Sequence, residues 1–234
     1  MANAATAELE TWTAEGFGDA AARTLVVVIH GGNWRASVTA DGTRPLAAAL
    51  AAEGHRVWNL EYPRAGMPGG GWPGTGLAVR DALAAALRQA RDRPVVAVGH
   101  SAGGHLGLWA AKNSGIAGVV SLAGVSDLAA AARSDLREDL TALLGGDPAA
   151  RPELLADADP MSRLPLGVPV LAVHGAQDLL VPLEQSRAFV AAAAAAGDDA
   201  ELLEIAEATH AHLRDPQSLA WPIVRDAVAR LTER

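Results

Sequence analysis

Ser101 stands in Gly99-His100-Ser101-Ala102-Gly103, a G-x-S-x-G pattern at the point where an apolar run gives way to a helix-like segment. A serine hydroxyl is a weak nucleophile in water, and it reacts where a general base takes its proton and a third group orients that base. The flanking glycines fit a turn too tight for side chains two residues either side of the serine. Such a turn holds the hydroxyl out at the start of a helix, where the amide of Ala102 is a free donor.

The base must come from elsewhere in the chain. Seven histidines are available: His30, His55, His100, His105, His174, His210 and His212. His210 and His212, in "EATHAHLRDP", are the two that follow the last apolar run, and His210 is preferred with His212 as its rival. The orienting acid is expected to be Asp178, in "HGAQDLLVP" after the run ending at Val173; Asp127, in "GVSDL" after the preceding run, is the rival. Ser101, Asp178 and His210 then follow one another in an order that such triads use. The H-x-H spacing of 210 and 212 has neither an H-E-x-x-H pattern nor a carboxylate cluster beside it, so no metal is expected. The other five histidines read as hydrogen-bonded structural residues.

A tetrahedral intermediate also needs hydrogen-bond donors for its oxyanion. "HGGNW", His30 to Trp34, follows the first clear apolar run, and its two glycines let the backbone pass close to a substrate and present amides to it. Together with Ala102 these amides would form the hole. Trp34 and Trp72 are read as lining an acyl or alcohol pocket, with burial in the core as the alternative.

The elements that must position these residues are short apolar runs at Thr24–His30, Arg56–Tyr62, Pro94–Gly99, Gly118–Ala123, Val168–Val173 and Ala200–Ile205. Continuous apolar runs bounded by Gly or Pro predict strands buried on both faces. Between them, helical segments are expected over Arg44–Glu53, Leu77–Arg91, Ala102–Asn113, Leu183–Ala196 and Ser218–Thr232. The alternation predicts an α/β fold with a mostly parallel sheet and helices on both faces, and such sheets gather reactive residues at the carboxyl ends of their strands. Glu8–Thr13 is expected to add an edge strand. Residues 125–166 interrupt the alternation with two short helical patterns and are expected to form at most a small cap within a single domain spanning 1–234.

Composition narrows the function classes. A formal charge of −8 argues against a nucleic-acid binder, whose affinity comes from clustered Lys and Arg. With no cysteine, disulfides, thiolate nucleophiles and cysteine-held zinc are all excluded. "MANAATAELETW" lacks a basic start followed by an apolar core, and no stretch approaches the roughly 18 apolar residues of a membrane span. The expectation is an untargeted, cytoplasmic protein without membrane partners.

Taken together, "HGGNW", "GHSAGG", "VWNLEYPRAG", "GGGWPGT" and "PVLAVHGAQDLLVPLEQS" resemble the α/β-hydrolase family, in its esterase/lipase branch of carboxylesterases and arylformamidases, from about Thr24 to the end. The resemblance implies a Ser101-His210-Asp178 triad and an oxyanion hole from Gly32, Asn33 and Ala102. Formamidase-like members often carry an aromatic where Asn33 stands. The expected function is therefore cofactor-free hydrolysis of a carboxylic ester of a small or aryl substrate through an acyl-enzyme. Hydrolysis of an N-formyl aryl amide, and a hydrolase fold kept only for binding, are the alternatives.

Overall fold

In the computed structural model, residues 13–18, 22 and 24–233 are described. Seven strands form one sheet: β1 (Thr13–Phe17), β2 (Leu25–Ile29), β3 (Arg56–Glu61), β4 (Val95–His100), β5 (Gly118–Leu122), β6 (Val170–Gly175) and β7 (Ala200–Ile205). Their spatial order is β1-β3-β2-β4-β5-β6-β7, with β1 antiparallel to β3 and every other neighbour parallel. The observed edge strand begins at Thr13, the last residue of the expected one; residues 8–12 lie outside the described residues.

Every residue of β2, β4, β5 and β6 is buried, because helices cover both faces. Strand alternation divides these residues between two cores. Val27, Ile29 and Ala97 face a core shared with α2 (Gly74–Ala90), α3 (Ala102–Ala111) and α7 (Leu183–Ala195). Val26, Val28, Val96 and Val98 face the other, under α1 (Arg44–Ala52) and α8 (Trp221–Thr232). On α8, Val224, Ala227, Val228 and Leu231 recur at helical spacing and form its buried stripe. All ten residues of α3 are buried, so this helix is enclosed rather than amphipathic.

The long interruption folds as α4 (Leu128–Ala131), α5 (Arg137–Leu144) and α6 (Pro152–Ala158). Leu128, Leu140, Leu143 and Leu144 pack into the α2/α3 core beside Trp34, Trp72 and Trp109. Among the described residues, no helix is long and apolar enough to cross a membrane.

The strand order creates the crevice. From β2 the chain goes first to β3 on one side and later to β4 on the other, so the loops leaving the carboxyl ends of β2 and β4 diverge. "HGGNW" is the first of these loops, and Ser101 begins the second.

Candidate active site

Ser101 sits between β4 and α3 with φ 56° and ψ −120°, a backbone conformation costly for an L-residue. Two features hold it there. Its amide donates to the Leu122 carbonyl of β5 at 2.9 Å, and its carbonyl accepts from the His105 amide at 3.1 Å, the first bond of α3. A Cβ on Gly103 would lie 2.0 Å from the Ile29 carbonyl oxygen, so only glycine lets α3 approach β2 this closely. Since that first helical bond belongs to His105, the amides of Ala102, Gly103 and Gly104 have no acceptor within the helix.

The "HGGNW" loop passes directly over this turn. A Cβ on Gly31 would meet Ser101 Cβ at 2.9 Å and the His100 carbonyl oxygen at 2.7 Å. Gly32, Asn33 and Trp34 then take positive φ in succession, 106°, 53° and 57°. Side-chain bonds hold this turn: Asn33 Nδ2 donates to Asp139 Oδ2 at 2.7 Å, Arg35 pairs with the other oxygen of Asp139, and Trp34 Nε1 donates to His105 Nδ1 at 3.1 Å. Asp139 belongs to α5, so the inserted segment braces the loop from behind.

Asp178 follows β6 and His210 follows β7, and because these strands are parallel neighbours their loops emerge side by side. His210 Nδ1 donates to Asp178 Oδ2 at 2.6 Å. Asp178 Oδ1 accepts from the amides of Leu180 and Val181 at 2.8 and 2.9 Å, and His174 Nε2 lies 3.4 Å from Oδ2. Burial by itself would raise this carboxyl, but bonds from His174, His210 and the Val181 amide outweigh it and hold Asp178 well below the usual carboxylate range. It is therefore an anion at neutral pH.

His100 supports the same histidine from the other side. Its ring lies 4.5 Å from that of His210, centroid to centroid, and its Nε2 donates to the His210 carbonyl at 3.0 Å. Burial lowers its pKa to about 3, which keeps it neutral beside His210. His212 turns away: its Nδ1 accepts from the Thr209 amide at 3.1 Å.

Ser101, His210, Gly32 and Asn33 line one cavity of about 490 Å³. Ala102 lies fully buried behind Ser101 at the start of α3. Of the rival acids, Asp127 is spent as the N-cap of α4, accepting from the Ala130 amide at 2.7 Å. No residue of 125–166 lines this cavity.

The two tryptophans are a correction to the sequence reading. Neither lines the cavity; Trp34 is fully buried against His105, and Trp72 donates to Asp157 at 2.7 Å and packs edge-on against Trp109. The Trp34 indole faces the α2/α3 core because the positive-φ turn Gly32–Trp34 directs the chain inward, and Trp72 reaches the same core from the loop before α2. The apolar part of the wall comes instead from Val38, Leu179 and Leu180, with Leu179 96 % exposed at the mouth. The contact of His174, read as a hydrogen-bonded structural residue, with Asp178 and the place of Arg214 on the cavity wall were not anticipated. The i, i+4 spacing of His174 and Asp178 in "HGAQD" was the available signal for the first.

The family model described as BD-FAE matches residues 18–192. The chain belongs to the BD-FAE family. A curated relative of this BD-FAE protein, Esterase LipC of Mycobacterium tuberculosis, is 28 % identical over 191 residues, 71 % of this chain and 47 % of the relative. The chain thus spans about half the length of that relative. Among solved structures, Thermogutta terrifontis esterase 2 phosphonylated by sarin superposes with a TM-score of 0.79 at 20 % identity, covering 98 % of this chain and 94 % of that one. The bifunctional GH43-CE of Bacteroides eggerthii gives 0.79 at 20 % identity, over 94 % of this chain and 36 % of that one. The α/β-hydrolase fold, esterase/lipase branch, is borne out for this BD-FAE member.

Proposed function

We propose that this protein is a serine ester hydrolase in which Ser101, His210 and Asp178 form the triad. The observation that carries the reading is the 2.6 Å bond from His210 Nδ1 to Asp178, made by a histidine that shares its cavity with Ser101. Because a carboxylate accepts at Nδ1, that nitrogen carries the proton and Nε2 is left as the base. In the reaction, Nε2 takes the Ser101 Oγ proton as Oγ bonds to the ester carbonyl carbon. The carbonyl electron pair moves onto oxygen, where the amides of Gly32, Asn33 and Ala102 bind it. Collapse expels the alcohol, which leaves with the proton from His210. Water then gives a proton to Nε2 while its oxygen attacks the acyl-enzyme, and the acid is released with Ser101 reprotonated. The names of the relatives, an esterase in sequence and an esterase in fold, support ester over amide.

The test is a paired assay of wild type and Ser101→Ala on p-nitrophenyl acetate and butyrate, alongside N-formylkynurenine, with fluorophosphonate labelling as the second readout. Ester turnover and labelling, both lost in the variant, are expected. Turnover retained by Ser101→Ala overturns the assignment, and faster formamide than ester turnover overturns the substrate class.

A further inference from the structure

The proposed ester chemistry leaves one guanidinium of the cavity unused. Arg214 closes the 3-10 turn Ala211–Arg214 that follows His210, and it lines the same cavity as Ser101 and His210. Its Nη1 donates to the Gly42 carbonyl at 2.7 Å, which fastens this turn to the one at Ala40–Thr43 on the facing wall. Arginine offers five N–H donors in a planar fork. Among the described residues, the Gly42 carbonyl is its acceptor and no carboxylate lies within ion-pair distance.

Among the described residues, Arg151 and Arg163 likewise donate to backbone carbonyls without an ion pair, but neither lines this cavity. Arg35, Arg44, Arg137, Arg187, Arg225 and Arg230 each meet an Asp or Glu, as expected where acidic residues outnumber basic ones. At the cavity the balance reverses. Among the described residues no Asp or Glu lines it, and burial lowers His30 to about 4 and His100 to about 3, so those two wall residues are uncharged at neutral pH. Arg214 is half-buried beside the reacting centre, and among the described residues its positive charge meets the Gly42 carbonyl and no carboxylate. A planar fork so placed matches a carboxylate, which it can bind through two parallel bonds.

We infer that the ester taken by this site carries a carboxylate, and that Arg214 is the residue that selects it. The inference rests on the serine-hydrolase reading. It adds a substrate class, an ester of a dicarboxylic acid or of a hydroxy acid, depending on which side of the ester bond bears the charge.

Two substrate pairs test it. Mono-4-nitrophenyl succinate against 4-nitrophenyl butyrate places the charge on the acyl side; 4-acetoxybenzoate against phenyl acetate places it on the leaving group. For each pair the ratio of kcat/KM, charged over neutral, is measured in wild type, Arg214→Lys and Arg214→Gln, so that intrinsic reactivity cancels between proteins. In at least one pair the ratio is expected to fall about tenfold in Arg214→Gln, the scale of one charge-assisted hydrogen bond, with Arg214→Lys between. The wild-type ratio should also decline with added salt, which keeps the test decisive if Arg214→Gln does not fold. Ratios that are the same in wild type and Arg214→Gln for both pairs, or a wild-type ratio indifferent to salt, overturn the inference. Turnover of the neutral esters that survives Ser101→Ala brings down the underlying hydrolase reading instead.

Discussion

Asp178 and His210 meet at 2.6 Å although 32 residues separate them, because β6 and β7 are adjacent parallel strands that end side by side. Asp178→Asn presents an amide where the imidazole needs an acceptor, so kcat is expected to fall by roughly 10,000-fold with the fold intact. The same variant should alter acid stability. The folded carboxyl titrates below its unfolded value of about 4, so its contribution is complete above that pH and is lost as pH falls through the folded value. Denaturant titrations between pH 5 and 2, wild type against Asp178→Asn, should show a shallower loss in the variant.

Ser101 combines its proposed chemistry with a strained backbone at φ 56°. Ser101→Ala and Ser101→Gly are both expected to lose turnover. They should differ in stability: glycine tolerates this conformation and alanine does not, so Ser101→Gly should exceed Ser101→Ala by about 1 kcal/mol. Equal melting temperatures would show that the turn is not strained.

Asp139 holds Asn33 through its side-chain amide and also pairs with Arg35. If the Asn33 amide serves the oxyanion, Asp139→Ala should loosen that loop and lower kcat by about tenfold, less than the roughly 100-fold cost of deleting one such donor outright. KM for a small neutral ester is expected to move little. A steady-state comparison separates the two parameters, and an unchanged kcat would detach Asp139 from the reaction.

His30, His100 and His105 are kept neutral by burial, with pKa values lowered to about 4, 3 and 4. Unfolded histidine titrates near 6.5. Below that pH the unfolded chain binds protons that the folded chain refuses, so stability should rise with pH between about 4 and 6.5. His105→Gln should reduce that slope if the variant still folds. Chemical denaturation at pH 5 and pH 7 measures it.

His212 accepts one backbone amide, from Thr209, and does not reach Asp178. His212→Ala should cost roughly 1 kcal/mol of stability and retain most activity, whereas His210→Ala should abolish turnover. Reversed outcomes in the assay would exchange the two roles.

Local pattern in the sequence was enough for the parallel sheet, its helices and the three loops that carry Ser101, Asp178 and His210. Buried strands must be apolar, tight turns must be glycine, and both constraints act within a few residues. Which of two neighbouring candidates is used was a different matter. Asp127 and Asp178 both follow strand ends, and only the packing makes one a helix cap and brings the other to His210. Trp34 adjoins Asn33 in sequence yet faces the core, and Trp72 faces it too, since side-chain direction depends on backbone conformation and on which core lies behind. Arg214 gave no signal in the sequence at all. Its charge has no ion-pair partner among the described residues because the two 3-10 turns meet at Gly42 while their carboxylates are engaged elsewhere, Asp41 with Arg44 and Asp215 with the Gln217 amide, and tertiary structure alone decides such a meeting.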